Sequence, residues 1–192
     1  MNQLLMVLPL VLLAACRSTV TPAAAADPVH IQLASRADAI AAAVTRWQSA
    51  PDLPAAKAAA EEARNLVLGQ NGPGYGDTDG DGTIRGSTSV GLLPGAKGEV
   101  GLANTGKVSA CVARDVLGGS WNDAAARWAQ ATEAVQAWTP SNNPFPMLKS
   151  HPQRIYGWAS LTLSSSSLKD AHRFAGHAQI HVSVTRGAIR DC

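Results

Sequence analysis

Glycine dominates one internal segment of the chain and sets the main limit on how it can fold. Residues 70–103 contain more than half of the 17 glycines in the 192-residue chain, together with two prolines. Glycine destabilises helix and strand interiors and proline interrupts them, so this segment cannot be regular helix. We therefore expect a long loop inserted into the domain. Loops of this length are usually functional or disordered.

The residues before this loop have the spacing of two amphipathic helices. Apolar residues recur every three or four positions over about 29–49, from Leu33 to Trp47, which predicts a first helix. Pro51 and Pro54 interrupt the pattern, and residues 55–68 predict a second helix that Gly69 can terminate.

The residues after the loop predict four more helices. A short helix is expected over about 105–117, and another begins at Ser120 with Asp123 three residues on, a variant of the capping box. A third opens at Ser150 or His151 and runs to about 163, and the last runs from about 168 to 186 with Ser167 as its cap.

These elements predict an all-α fold. We expect an antiparallel helical bundle of two helical hairpins over residues 29–192, with the glycine-rich segment 70–103 inserted between them. The chain is 16% charged and rich in alanine, yet it carries five tryptophans. Closely packed helices suit this composition, with small residues on the helix faces and indoles filling the wider gaps.

Within the glycine-rich segment, carboxylates occupy alternate positions. Asp77, Asp79 and Asp81 are followed by Gly82, where a residue without a Cβ can turn the chain sharply. Calcium takes six to eight oxygen ligands, and alternate aspartates supply three of them from one side. An ordinary solvated turn is the alternative interpretation.

This run resembles the calcium loop of EF-hand and dockerin-type proteins over about a dozen residues. The resemblance implies that Thr83 contributes its backbone carbonyl and that Ile84 packs into the core. Two positions differ: Arg85 stands at position 9, and Thr88 stands at position 12 in place of a bidentate glutamate. We include Thr88 in the predicted ligand set, and Glu99 is the nearest downstream carboxylate that could complete it.

The N-terminus carries the pattern of an export signal. Residues 4–13 are an apolar run too short to span a bilayer, and Leu13-Ala14-Ala15-Cys16 follows directly. This sequence resembles a bacterial lipobox, which implies a signal peptide over residues 1–15 and lipidation of Cys16. Residues 16–28 then form a tether. The expected location is the periplasm or the cell surface, with attachment to the membrane through the lipid.

Two further cysteines remain once Cys16 is assigned to the lipid. In an oxidising compartment Cys111 and Cys192 form an even pair, and a disulfide between them would close a loop of about 80 residues. The alternative is two free buried thiols.

The last predicted helix carries a pair of histidines. His177 and His181 are four residues apart, so they share one face with the spacing of zinc ligands. A site would need a third ligand from another helix, with His151, His30, Glu61 and Glu62 as unproven candidates. The pair lies at the edge of the apolar arc, where hydrogen-bonded histidines are common. We favour that interpretation over zinc or another transition metal.

The net charge and the absence of known motifs limit the classes of function that this chain can have. A formal net charge of +2 without a basic cluster argues against nucleic acid as a partner. The chain lacks the common catalytic motifs, and Glu61 and Glu62 are interpreted as part of a solvated helix face. We therefore expect a non-enzymatic, lipid-anchored, calcium-binding envelope protein with a structural or interaction role. The alternatives are a metal-binding or sensing bundle that uses His177 and His181, and an envelope enzyme without a recognisable motif.

Overall fold

The structure is a computed structural model that describes residues 27–191, and these residues form helices joined by loops. The α-helices are α1 (Pro28–Gln48), α2 (Leu53–Leu68), α3 (Ala124–Gln136), α4 (His151–Ser164) and α5 (Leu168–Arg190). Short 3₁₀ turns lie at Leu102–Asn104 and Phe145–Met147, and a π-helical turn lies at Val112–Val116. No strand forms within residues 27–191, so the predicted all-α class is confirmed.

Several predictions concern residues outside the described range. The signal peptide (1–15), Cys16 and most of the tether precede residue 27, and Cys192 follows residue 191. Cys111 packs partly buried against the core, but its predicted disulfide to Cys192 stays a prediction. Within residues 27–191, no helix combines the length and the apolarity needed to cross a membrane.

Helix ends follow local hydrogen bonding, which corrects one expectation. Ser167 caps α5 as predicted, and α4 opens at His151, one of the two predicted starts, with Ser150 as its cap. Each serine accepts a hydrogen bond from the backbone amide three residues on. The cap of α3 is Asp123 rather than Ser120, because the Asp123 carboxylate accepts the amide of Ala126 at 2.9 Å.

The helix predicted over residues 105–117 is wrong in extent. Gly106 adopts a left-handed φ of +69°, which interrupts any helix at that point. The Ser109 hydroxyl then accepts the amide of Val112 at 3.3 Å, and only the π-helical turn Val112–Val116 and the residues just before it are helical. The chain therefore stays irregular from the glycine-rich loop to about residue 109.

Four helices enclose the core. α1 packs against α2 and α5, and α4 packs against the same two helices. Alanines that are completely buried, among them Ala43, Ala60 and Ala175, let these helices approach closely. The ring of Trp158 lies 4.6 Å from that of Phe145 and 5.7 Å from that of Phe174, measured between centroids. Aromatic rings thus fill the wider gap on the α4–α5 side.

Candidate metal centre

The far end of the glycine-rich loop returns to the C-terminal end of α2. Leu92 donates its amide to the carbonyl of Leu66 and Leu93 donates to that of Val67, both at 3.1 Å. Both leucine side chains are completely buried. The backbones meet so closely that a Cβ on Gly91 would lie 2.3 Å from the carbonyl oxygen of Leu68. The loop is therefore packed against α2 as part of the domain.

Three buried polar side chains of α2 hold the nearer half of the loop. Glu61, Arg64 and Asn65, which we call the polar row, share one helix face because they are spaced at i, i+3 and i+4. Arg64 donates to the carbonyl oxygens of Pro73 at 3.0 Å and Gly74 at 2.5 Å. These contacts satisfy two carbonyl oxygens of a segment that lies outside regular helix.

Glu61 lies at the centre of these contacts. Its Oε2 accepts the amides of Thr78 at 2.5 Å and Asp79 at 3.0 Å, and the Thr78 hydroxyl donates to the same oxygen at 3.1 Å. Its Oε1 accepts the amide of Arg85 at 2.9 Å, while Asn65 donates to the Arg85 carbonyl at 2.8 Å. A fully buried carboxylate of α2 therefore fixes both ends of the aspartate-rich turn.

Asp77 closes the turn from within. Its two carboxylate oxygens accept the amides of Gly80 at 2.9 Å and Gly82 at 2.8 Å. Gly80 and Gly82 have φ values of +78° and +85°, which residues with a Cβ rarely adopt. The glycines at these two positions allow the chain to wrap around the Asp77 carboxylate.

Glu61, Asp77 and Asp79 form an acidic group. Each offers a carboxylate oxygen, and the three atoms lie within 4.8 Å of one another. Partial burial raises the pKa of Asp79, and the nearby charges of Glu61, Asp81 and Asp77 raise it further. Carboxylates in this arrangement repel one another, and a divalent cation would relieve the repulsion.

Asp81 has a different partner. Arg85 donates to its Oδ2 at 2.5 Å, and this bond lowers the pKa of Asp81 while raising the pKa of Arg85. The Asp81 Oδ1 accepts the amide of Thr83 at 2.8 Å. The arginine at position 9 therefore neutralises one of the three predicted aspartate ligands, which is not among the three residues of the acidic group.

The hydrogen bond from its amide to Asp81 holds Thr83 within the turn. Thr88 is held away from it: its hydroxyl accepts from Arg36 at 2.8 Å and donates to the Val90 carbonyl at 3.1 Å. Arg36 also donates to the Val90 carbonyl at 2.7 Å. Thr88 thus takes part in joining the loop to α1, and the acidic group does not contain it.

Two expectations about the surroundings of the turn need correction. Ile84 was expected to be buried, but its side chain is 48% exposed, because Glu61 rather than an apolar contact fastens the turn. Glu99 accepts the amide of Lys97 at 2.9 Å, and the acidic group is completed by Glu61 instead.

Glu61 is the site residue that the sequence analysis missed. Glu61 and Glu62 were interpreted together as a solvated face, but Glu61 is fully buried while Glu62 pairs with Arg46 near the surface at 2.6 Å. The available signal was the polar row itself, because Glu61, Arg64 and Asn65 share a face with buried alanines on either side.

The histidines of α5 are arranged differently from the predicted pair. His181 faces His151 of α4, with 3.0 Å between their Nδ1 atoms. The ring of His177 stacks on Trp158, with centroids 4.4 Å apart and an angle of 14° between planes. His172 contacts the Ala50 carbonyl through Nε2 at 2.9 Å. The nitrogen that approaches His181 therefore comes from another helix.

Comparisons of the chain with protein-family models, with curated proteins and with solved structures found no match.

Proposed function

We propose that this chain is a lipid-anchored, calcium-binding helical protein of the cell envelope, with a structural or interaction role and without enzymatic activity. The observation that supports calcium binding most directly is the meeting of Glu61 with Asp77 and Asp79. Calcium binding would join α2 to the aspartate-rich turn.

The donor set favours a hard cation. All three members of the acidic group are carboxylates, and calcium prefers oxygen ligands at about 2.3–2.6 Å. Asp81 would add a fourth carboxylate if Arg85 moved away, and the Thr83 carbonyl, included in the ligand set from the sequence, would add a neutral oxygen. Because Arg85 competes for Asp81, we expect weak binding, with Kd of about 10⁻⁴–10⁻³ M, as in extracellular calcium modules.

The same proposal includes the finer architecture. We interpret α1 with α2 and α4 with α5 as two helical hairpins of an antiparallel bundle. The packing of α1 and α4 against both α2 and α5 supports this arrangement. The loop would then be an insertion that the polar row of the first hairpin holds in place.

A calcium titration tests the metal assignment. Calorimetry on the mature chain should give a calcium Kd in the millimolar range, and tenfold excess over Kd should stabilise the fold by about 1.4 kcal/mol. This corresponds to a rise of about 3–6 °C in Tm for a domain of this size.

The variant Asp79→Ala should abolish this rise, since alanine offers no side-chain oxygen in place of the Asp79 carboxylate. Far-UV circular dichroism should show that the helices persist when calcium is chelated, because helix packing stabilises them independently. Wild-type protein that shows neither binding heat nor a change in Tm at millimolar calcium would contradict the proposal.

A second experiment tests the anchor. The lipobox-like Leu13-Ala14-Ala15-Cys16 supports cleavage before Cys16 and its lipidation. Wild-type protein should partition into detergent, and Cys16→Ser should leave an uncleaved or mislocalised precursor. More than one acyl chain is expected, because a single chain holds a protein to a membrane only marginally. Mature protein that starts elsewhere and stays in the soluble fraction would refute the anchor.

A further inference from the structure

We propose that His151 and His181, whose Nδ1 atoms face each other across α4 and α5, bind a divalent transition-metal ion of the zinc and copper class. This site is built from residues other than the acidic group. Imidazole nitrogen is a preferred ligand of zinc, copper and nickel, whereas calcium and magnesium prefer oxygen. The two proposed sites therefore differ in the metals they would select.

The distance between the two nitrogens is close to that of a ligand pair. The Nδ1 atoms are 3.0 Å apart, and the ring centroids are 5.1 Å apart. Two nitrogens bound to one zinc ion at about 2.0–2.1 Å with a tetrahedral angle lie about 3.4 Å apart. Small side-chain rotations can supply this difference of about 0.4 Å.

Both histidines stand on well-fixed backbone. His151 is the first residue of α4, directly after Ser150, whose buried hydroxyl donates to the Val116 carbonyl at 2.7 Å. His181 lies in the middle of α5 beside the buried residue Val182. α4 and α5 pack against each other, so helices rather than a flexible loop bring the two rings together.

The surroundings keep both imidazoles neutral. Burial, together with the charges of His151, Arg154 and His177, lowers the pKa of His181 to about 3. Burial and Arg154 also lower the pKa of His151, which Asp115 opposes. Neutral imidazole is the form that binds metals. A proton on either Nδ1 can move to Nε2 of the same neutral ring, so metal binding requires no net loss of a proton.

The neighbouring charged groups act in both directions. Asp115, on the π-helical turn, brings negative charge toward His151, although Arg114 pairs with it at 2.6 Å. Arg154 opposes a cation, but its guanidinium is directed to backbone carbonyls, including that of Leu148 at 2.7 Å. Both histidines are only partly buried, so water can occupy the remaining coordination positions.

Zinc titration of three histidine variants tests the site. The mature full-length chain should bind one Zn²⁺ ion at this site, measured by calorimetry in the presence of excess calcium. His151→Gln and His181→Gln should each weaken zinc binding by more than about tenfold, since even outer partners of metal ligands contribute this much. His177→Gln is the matched control on the same helix and should bind zinc like the wild type.

The outcomes separate the possibilities. Equal zinc binding by all the variants, or an equal loss in His177→Gln, would overturn the proposal, as would wild-type protein that does not bind zinc. In that case the two imidazoles form only an N–H···N hydrogen bond.

Electron paramagnetic resonance of Cu²⁺ added to the wild type gives a second test that does not depend on the folding of any variant. Nitrogen ligands are expected, and oxygen ligands alone would refute the site. Glu61→Gln leaves these histidines intact, so zinc binding by that variant should be unchanged. A failure of the calcium proposal can therefore be told apart from a failure of the zinc proposal.

Discussion

Replacing Glu61 with glutamine is expected to lower the free energy of unfolding by about 3 kcal/mol and to remove the proposed stabilisation by calcium. Glutamine has the same shape, but its amide nitrogen cannot accept the hydrogen bonds that Oε2 receives from the amides of Thr78 and Asp79. Hydrogen bonds to a charged group contribute about 1.5–3 kcal/mol each, and a buried donor left unpaired adds its own cost. Thermal unfolding without calcium should show a Tm lower by about 6–12 °C.

Glu62→Gln is the matched control for this prediction. Glu62 is the next residue of α2, but its carboxylate pairs with the exposed Arg46 near the surface. Exposed ion pairs of this kind contribute about 0–1 kcal/mol. Equal Tm values for the two variants would mean that the buried contacts of Glu61 do not form in solution.

Replacing Gly91 with alanine is expected to separate the loop from α2 and to lower the free energy of unfolding by about 3–5 kcal/mol. The added Cβ would lie 2.3 Å from the oxygen and 2.4 Å from the carbon of the Leu68 carbonyl group. Helix backbone cannot move aside, so the loop must lift, and the burial of Leu92 and Leu93 is reduced. Burial of one leucine is worth about 1.5–3 kcal/mol. Denaturant unfolding should show a lower midpoint, and proteolysis should become faster between residues 86 and 101.

Gly176→Ala is expected to change the stability in the opposite direction to Gly91→Ala. Gly176 lies inside α5, and a Cβ there would meet no atom within 4 Å. Alanine in a helix interior is favoured over glycine by about 0.5–1 kcal/mol, so this variant should be slightly more stable than the wild type. A Gly91→Ala protein as stable as Gly176→Ala would show that the loop does not pack closely against α2.

The helices could be predicted because the residues that define them are close together in the sequence. The spacing from Leu33 to Trp47 defines α1, and Ser150 and Ser167 each accept the amide that a helix N-terminus leaves unpaired. Where two local signals competed, the prediction failed. Ser120 and Asp123 can both cap a helix, and only the hydrogen bond of Asp123 to Ala126 decides between them.

The acidic group was only half predictable. The alternate aspartates are adjacent in sequence, so their role as a turn was visible, but Glu61 lies 16 residues before Asp77 and on another element. Its burial follows from the way the loop folds back over α2. Periodicity within α2 assigns Glu61 to a face without stating what covers that face. The same reason explains the error at Ile84, since the sequence could not show that a carboxylate would hold the turn.

The polar row also determines whether the aspartate-rich turn could bind calcium when it is removed from this protein. In an EF-hand the loop carries its own terminal carboxylate, so the binding unit is one continuous peptide. Here a residue of α2 supplies the carboxylate that joins Asp77 and Asp79, and Arg64 and Asn65 shape the backbone leading into the turn. A peptide of residues 77–88 would lack these groups, and so would the same turn grafted onto another scaffold. The proposed calcium site thus depends on the assembled tertiary structure, and unfolding of α2 would remove it as directly as any change within the turn.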